Sequence, residues 1–178
     1  MEIKKLFQKI RVPLSFIVGA IFLIFSRPDE IHFMVGVPIA LLGVLLRIWA
    51  SGHIVKSKKL TKSGPYKYTR NPLYLGSFFI GLGISIQCGR IIFPILLLIL
   101  FLFIYIPVMK REEEEMEMVF GRDYLEYKKL VSFFIPIPNK KIEDKGKFNI
   151  DQVIKNREYK GVIGFILVEL ILMVKFFL

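Results

Sequence analysis

Apolar residues fall along this chain in five runs separated by short polar segments, at about residues 12–26, 33–51, 72–88, 91–109 and 161–178. A helix that crosses a hydrocarbon core needs roughly 20 largely apolar residues, within a range of about 17–25. The first run is short unless the basic residues beside it snorkel. The fourth carries no charge at all. Pro38, Pro94 and Pro107 lie within runs and read as kinks, because neighbouring groups in a membrane bundle can satisfy the freed carbonyls. The pattern predicts an all-α integral membrane protein with about five transmembrane helices. After the fourth run the helix continues, with Glu112, Met116 and Val119 on one face. Gly121 is a helix stop. A second short helix over about 122–131 puts Tyr124, Tyr127, Lys128 and Val131 on one side and ends ahead of Pro136 and Pro138. Residues 139–149 read as a polar surface loop. No repeat is visible, and 178 residues suit one domain covering 1–178.

Composition agrees with the runs. The chain is 54% hydrophobic and has 26 Lys and Arg against 15 Asp and Glu, a net charge of +11. Such a basic balance suits nucleic acid or a membrane surface. The basic residues lie between apolar runs, where they set topology, and no nucleic-acid module is visible. Residues 1–11 hold Lys4, Lys5, Lys9 and Arg11 against Glu2 alone, and residues 52–71 hold Lys56, Lys58, Lys59, Lys62, Lys67 and Arg70 with no acid. Cytoplasmic loops carry the Lys and Arg excess. The N-terminus and the segments 52–71 and 110–160 are therefore expected inside, and the C-terminus outside. No small-residue cleavage pattern follows the first run, so it does not read as a cleavable signal. The single cysteine, Cys88, allows no disulfide within the chain. His32 and His53 are too few and too far apart for a zinc site. Two charges interrupt the runs. Arg47 either snorkels to the headgroups or faces an internal polar pocket. Glu169, near the middle of the last run, must be protonated, paired or close to the interface.

Two constellations could carry chemistry. The first is the stretch from Lys59 to Gly76. Gly64-Pro65 is turn chemistry, and Asn71-Pro72 starts a helix with Asn71 as cap. A helix start presents backbone N–H groups and partial positive charge to a carboxylate or phosphate. Tyr66 and Tyr74 flank it, and aromatic faces attract cations such as a sulfonium. An ordinary loop capping a membrane helix would explain Gly-Pro-Tyr or Asn-Pro alone, but not their combination with a third tyrosine in 13 residues. The second is the acidic run Glu112–Glu115 behind Lys110 and Arg111. Its ordinary reading is a solvated helix. Glu112 nearest the membrane could accept bonds from a ligand, and an adjacent cation could hold an anionic acceptor.

The motif Gly64-Pro65-Tyr66-x-x-x-Arg70-Asn71-Pro72-x-Tyr74-x-Gly76 resembles the signature of the isoprenylcysteine carboxyl methyltransferase family, and the related phospholipid N-methyltransferases share a version of it. Glu112-Glu113-x-x-Met116-x-x-x-Phe120-Gly121-x-x-Tyr124-x-x-Tyr127 looks like that family's second signature. Gly52-His53-Ile54-Val55-Lys56 and Leu60-Thr61 also fit its pattern. The resemblance covers about residues 47–136. It implies a membrane-embedded S-adenosylmethionine-dependent methyltransferase with a cytoplasm-facing cofactor pocket and a lipophilic or lipid-modified acceptor arriving from the bilayer. Carried over by position, cofactor contacts fall on Lys56, on Lys58, Lys59, Leu60 and Thr61, on Tyr66, on Asn71, Pro72, Leu73 and Tyr74, and on Glu112. The acceptor-side cation is Lys110 or Arg111. Many members have histidine where this chain has Asn71. Asparagine cannot act as a base near neutral pH, so proton transfer there is not expected.

A carboxylate acceptor needs no general base, whereas an amine must lose a proton. The sparse histidines favour the carboxylate and O-methylation. The alternatives are a phospholipid-type N-methyltransferase, an NADPH-dependent membrane reductase of related architecture, and a non-catalytic adaptor whose basic loops bind anionic lipid.

Overall fold

The computed structural model describes residues 2–55, 59–138, 142 and 146–178, with side chains from residue 13 onward. The described residues form helices and connecting turns, with no strand beyond a lone bridge between Thr69 and Ser132. Helix α1 covers Glu2–Phe25, α2 Glu30–His53 and α3 Pro72–Gln87; α4 covers Ile92–Leu100 and α5 Ile106–Phe120. Then come α6 at Arg122–Leu130, α7 at Ile150–Lys155 and α8 at Tyr159–Phe177. The five predicted runs thus become α1, α2, α3, the α4–α5 rod and α8. Two helices are long and apolar enough to cross a bilayer, Glu30–His53 and the continuous Ile92–Phe120, while Pro13–Phe25 and Pro72–Gln87 are shorter apolar helices. Helix length and apolarity therefore support two of the five predicted spans. The short α6 and the stop at Gly121 fall where the sequence puts them, and Gly121 takes a positive φ of 52°.

Small residues set the closest packing. A Cβ on Gly36 would lie 2.5 Å from the carbonyl oxygen of Gly83, and one on Gly43 would lie 2.5 Å from that of Gly76. Glycine at these positions lets the α2 and α3 backbones approach as small-residue helix pairs do in membranes. In the α4–α5 rod, Pro107 offers no N–H to the turn before it, and the ladder relaxes into a π turn over Phe101–Tyr105. The turn stacks the rings of Phe101 and Tyr105 at 5.3 Å, nearly parallel.

Long-range polar contacts fix the remaining helices. Helix α7 was not visible in the sequence pattern; it docks on the end of α2, where Asn156 donates to the carbonyls of Ser51 (2.9 Å) and Ile54 (3.2 Å). Those are orphan carbonyls of a helix C-terminus. Lys175 of α8 does the same for α1, donating to the carbonyls of Leu23, Ile24 and Ser26. Glu169 is paired, accepting from the amide of the fully buried Gln87 at 2.9 Å. Arg47 turns into the protein. Its guanidinium forks onto Glu158 at 2.5 and 3.0 Å and reaches Ser77 and the carbonyl of Leu73.

Candidate cofactor and acceptor site

The linker between α2 and α3 folds back under the bundle. Gly64 opens a 3₁₀ turn over Gly64–Lys67 at a φ of +57°, and a Cβ there would also lie 2.6 Å from the His53 ring. Both the backbone angle and the ring therefore require glycine. The turn hangs from α6, because the Tyr127 hydroxyl donates to the Tyr66 carbonyl at 2.6 Å. Beyond it, the Arg70 N–H bonds the Ser132 carbonyl and the Ile137 N–H bonds that of Tyr68. The segment after α6 thus runs alongside the linker. It carries Phe134 back against Phe101 and Phe78, at ring separations of 5.1 and 6.0 Å.

Arg70 is the cross-link of this layer. It forks onto Glu113 at 2.6 and 3.2 Å and donates to the carbonyls of Lys128 (2.8 Å) and Val131 (2.7 Å), with both charged side chains 9% exposed. Lys128 pairs with Glu117 at the rim. The role expected for Asn71 changes. It stands at the start of α3 but makes no side-chain cap. Its amide instead donates to the carbonyl of Phe133 at 2.9 Å and toward Glu113 at 3.4 Å. The buried carboxylate and carbonyl outcompete the local helix end for that donor.

Between the linker, the start of α3 and the α5–α6 corner lies a cavity of about 450 Å³, within the range of small-molecule sites. Lys59, Leu60, Thr61, Tyr66, Asn71, Pro72, Leu73, Tyr74 and Glu112 all line it. Lys56 and Lys58 lie outside the described residues. The cavity also takes in Arg70, Glu113, Met116, Phe120, Tyr124 and Tyr127. Those belong to the two motifs but carried no assigned role. The signal that places them is helical spacing, since Met116 and Phe120 follow Glu112 at i+4 and i+8.

The chemistry of the lining is graded. Glu112 accepts from the Tyr74 hydroxyl at 2.7 Å, which aims its carboxylate. Burial pushes the hydroxyls of Tyr66, Tyr124 and Tyr127 well above the ordinary tyrosine range, so all three remain protonated donors. The Tyr66 hydroxyl is buried and has no hydrogen-bond partner among the described residues. A buried hydroxyl without a partner is unfavourable, and here it sits on the wall of a ligand-sized cavity. Neither candidate cation lines either cavity, and Lys110 is exposed. Arg111 bonds Glu115 at 3.0 Å, and its Nη1 is buried without a partner among the described residues.

A second cavity, of about 220 Å³, follows α3 away from the first. Apolar side chains of α1, α3 and the π turn line most of it, with Gly19 and Gly81 on its walls. Ser15 and Tyr105 bond at 2.7 Å on its border. The Tyr105 ring meets the edge of Tyr74 at 6.0 Å, so an aromatic pair separates the two spaces.

The larger cavity fits S-adenosylmethionine by its donor set. It offers a carboxylate for hydroxyl or ammonium groups, tyrosine faces for a cation, a hydroxyl donor awaiting an acceptor, and apolar residues for a ring. No curated protein and no solved structure matches the chain. The sequence profile of the phospholipid methyltransferase family matches residues 31–123, which hold α2, α3, the α4–α5 rod and most of the cavity's lining. That match covers just over half of the chain, and the protein belongs to the phospholipid methyltransferase family, whose members are S-adenosylmethionine-dependent enzymes acting on lipid-like substrates.

Proposed function

We propose that this methyltransferase holds S-adenosylmethionine in the larger cavity and methylates a carboxylate on a lipophilic acceptor, as an isoprenylcysteine carboxyl methyltransferase would. The observation that carries the reading is the convergence of every described residue expected to contact the cofactor on one cavity, whose wall bears a Tyr66 hydroxyl with no partner among the described residues. S-adenosylmethionine supplies a methyl group already activated on a sulfonium, which a carboxylate can accept without losing a proton. The protein's work is then alignment and exclusion of water. Glu112, aimed by Tyr74, bonds the cofactor's polar end, and Tyr66 donates to it. The aromatic pair Tyr74–Tyr105 stands where the two cavities meet, and the acceptor's hydrocarbon chain lies in the smaller one.

Two features support an anionic acceptor. Arg111 lines neither cavity, but it directly precedes Glu112 and keeps a buried donor without a partner among the described residues, which fits a carboxylate better than an ammonium. Neither histidine lines either cavity: His32 pairs with Asp29, and His53 bonds Ser63. The family's description favours a second reading, N-methylation of a phospholipid amine. On either reading the chain spans the bilayer about five times as one domain. The basic N-terminus and the cofactor side are then cytoplasmic by the Lys and Arg bias. The test uses purified protein in detergent, labelled S-adenosylmethionine, and prenyl-cysteine, phospholipid and isoprenoid acceptors. Labelling of the prenyl-cysteine carboxylate is expected, and labelling of the phospholipid amine alone would select the second reading. In a direct titration Glu112→Ala should weaken cofactor binding; unchanged affinity would remove Glu112 from the site.

A further inference from the structure

Glu158 lies outside the family match and in no motif, yet it is among the most buried charges described, at 7% exposure. It stands at the start of α8, where an acidic side chain would ordinarily cap its own helix. It makes no such cap. Both oxygens turn to Arg47 of α2, at 2.5 and 3.0 Å. Arg47 uses its remaining Nη1 on α3, donating to Ser77 Oγ at 2.5 Å and to the Leu73 carbonyl at 3.3 Å. Leu73 lines the larger cavity and Ser77 the smaller. Arg47 also fills the space beside Gly76, where a Cβ would lie 2.5 Å from its Cγ. The charges of Arg47, Glu158 and Glu112 are close enough to bear on ionisation of the Tyr66 hydroxyl, although burial dominates it.

The chain delivers Glu158 to this place by a rigid route. The Asn149 N–H bonds the Gly52 carbonyl, Asn156 caps α2, and the Glu158 N–H returns to the Val153 carbonyl. Residues 149–158 therefore brace the end of α2 and present one carboxylate to one guanidinium. Without that carboxylate, Arg47 would be a half-buried cation with an unbalanced charge, free to leave α3 for water. With it, the guanidinium is oriented and the first turns of α3 are held against α2 at the point where both cavities begin.

We propose that Glu158 is a positioning residue of the enzyme, acting through Arg47 to fix the α3 wall shared by the cofactor cavity and the acceptor cavity. The inference rests on the cofactor reading of the larger cavity. It makes the C-terminal segment part of the working site, although the family match ends at residue 123.

The test compares wild type, E158Q, S77A and the reversed pair R47E/E158R in detergent. Equilibrium binding of labelled S-adenosylmethionine, KM and kcat, and thermal unfolding without ligand are measured for each. E158Q keeps shape and removes charge; it should weaken cofactor binding by about tenfold with a smaller effect on kcat, as expected when a wall shifts but the reacting groups remain. The reversed pair restores an ion pair but removes the guanidinium that ties Leu73 and Ser77 of α3 to α2. It should recover unfolding temperature without recovering affinity. Recovery of both would reduce Glu158 to a structural tie and overturn the proposal, as would wild-type affinity in E158Q. Should E158Q not fold, S77A decides: it leaves the ion pair intact and should weaken binding severalfold, and unchanged affinity would overturn the proposal. Wild-type protein that binds no S-adenosylmethionine would instead refute the cofactor reading itself, so the two failures are distinguishable.

Discussion

Replacing Tyr66 with phenylalanine separates a ligand-binding role from a packing role. The substitution removes one oxygen and leaves the ring. The Tyr66 carbonyl still receives the Tyr127 hydroxyl. Tyr66 is 7% exposed and its hydroxyl has no partner among the described residues. An unsatisfied buried polar group is unfavourable by about 1–3 kcal/mol. The low end of that range is taken as the expected effect. Tyr66→Phe should therefore stabilise the ligand-free protein by about 1 kcal/mol, or about 2–4 °C for a chain of this size. With S-adenosylmethionine bound the sign reverses, because the hydroxyl then has a partner. Losing that bond removes about 0.5–1.5 kcal/mol, a weakening of up to about tenfold. Thermal unfolding in detergent with and without S-adenosylmethionine reads both effects, and an equilibrium titration checks the second. A variant that unfolds earlier than wild type without ligand, and gains the same protection from the cofactor, would refute the reasoning.

Three further outcomes follow from the same geometry. Glu113→Gln should destabilise the fold by about 3–5 kcal/mol by stranding the buried Arg70 guanidinium, read as a lower midpoint in denaturant; an effect under about 1 kcal/mol would mean the pair behaves as a surface pair. Gly19→Leu should shift the acceptor preference toward shorter chains and leave S-adenosylmethionine affinity unchanged, because a Cβ there meets nothing within 4 Å and the side chain would enter the smaller cavity. A chain-length series of acceptors checks it, and an unaltered length profile would place the hydrocarbon elsewhere. Stability should fall as pH rises above about 10, where an unfolded chain loses its tyrosine protons while Tyr66, Tyr124 and Tyr127, pushed up by burial, keep theirs. The folded state then binds more protons, so stability is complete below that pH and declines above it. Unfolding midpoints at pH 8 to 11, with tyrosinate absorbance, would show it.

What the sequence made legible was local. Apolar runs predicted the long helices because a helix period and a hydrocarbon thickness leave few other options. Gly64 and Gly121 stand where positive φ requires glycine. The two motifs were legible as a candidate ligand site because their tyrosines, glycines and carboxylates exceed what a loop needs. The missing parts are pairings across sequence distance. Arg70 and Glu113 sit in separate motifs, and nothing local says that their charges cancel each other. Glu158 and Arg47 are 111 residues apart. Asn71 looked like a cap because caps are a local rule, and it was taken by a carbonyl and a carboxylate that arrive only when the chain has folded. Helix α7 is six residues long, too short to give a period.

These long-range ties explain how a thin-walled site can be precise. Helix α3 is the wall that matters, and its two faces do different work. Gly76 and Gly83 share the face that packs on α2. Tyr74, Phe78 and Gly81, at helical spacing of four and then three residues, share the face that borders the cavities. A helix packed through glycines makes few side-chain interlocks, and it could slide along its neighbour. The polar ties remove that freedom at the end where chemistry would occur. Arg47 grips the α3 backbone at Leu73 and its side chain at Ser77, and Arg70 and Asn71 bind the residues just before the helix to Glu113. The far end is pinned through Gln87 to Glu169. Close backbone packing brings the cavities near each other, and buried charges fix the register. On the proposed reading, together they let a helix of 16 residues hold a water-soluble cofactor at one end and a hydrocarbon chain along its side.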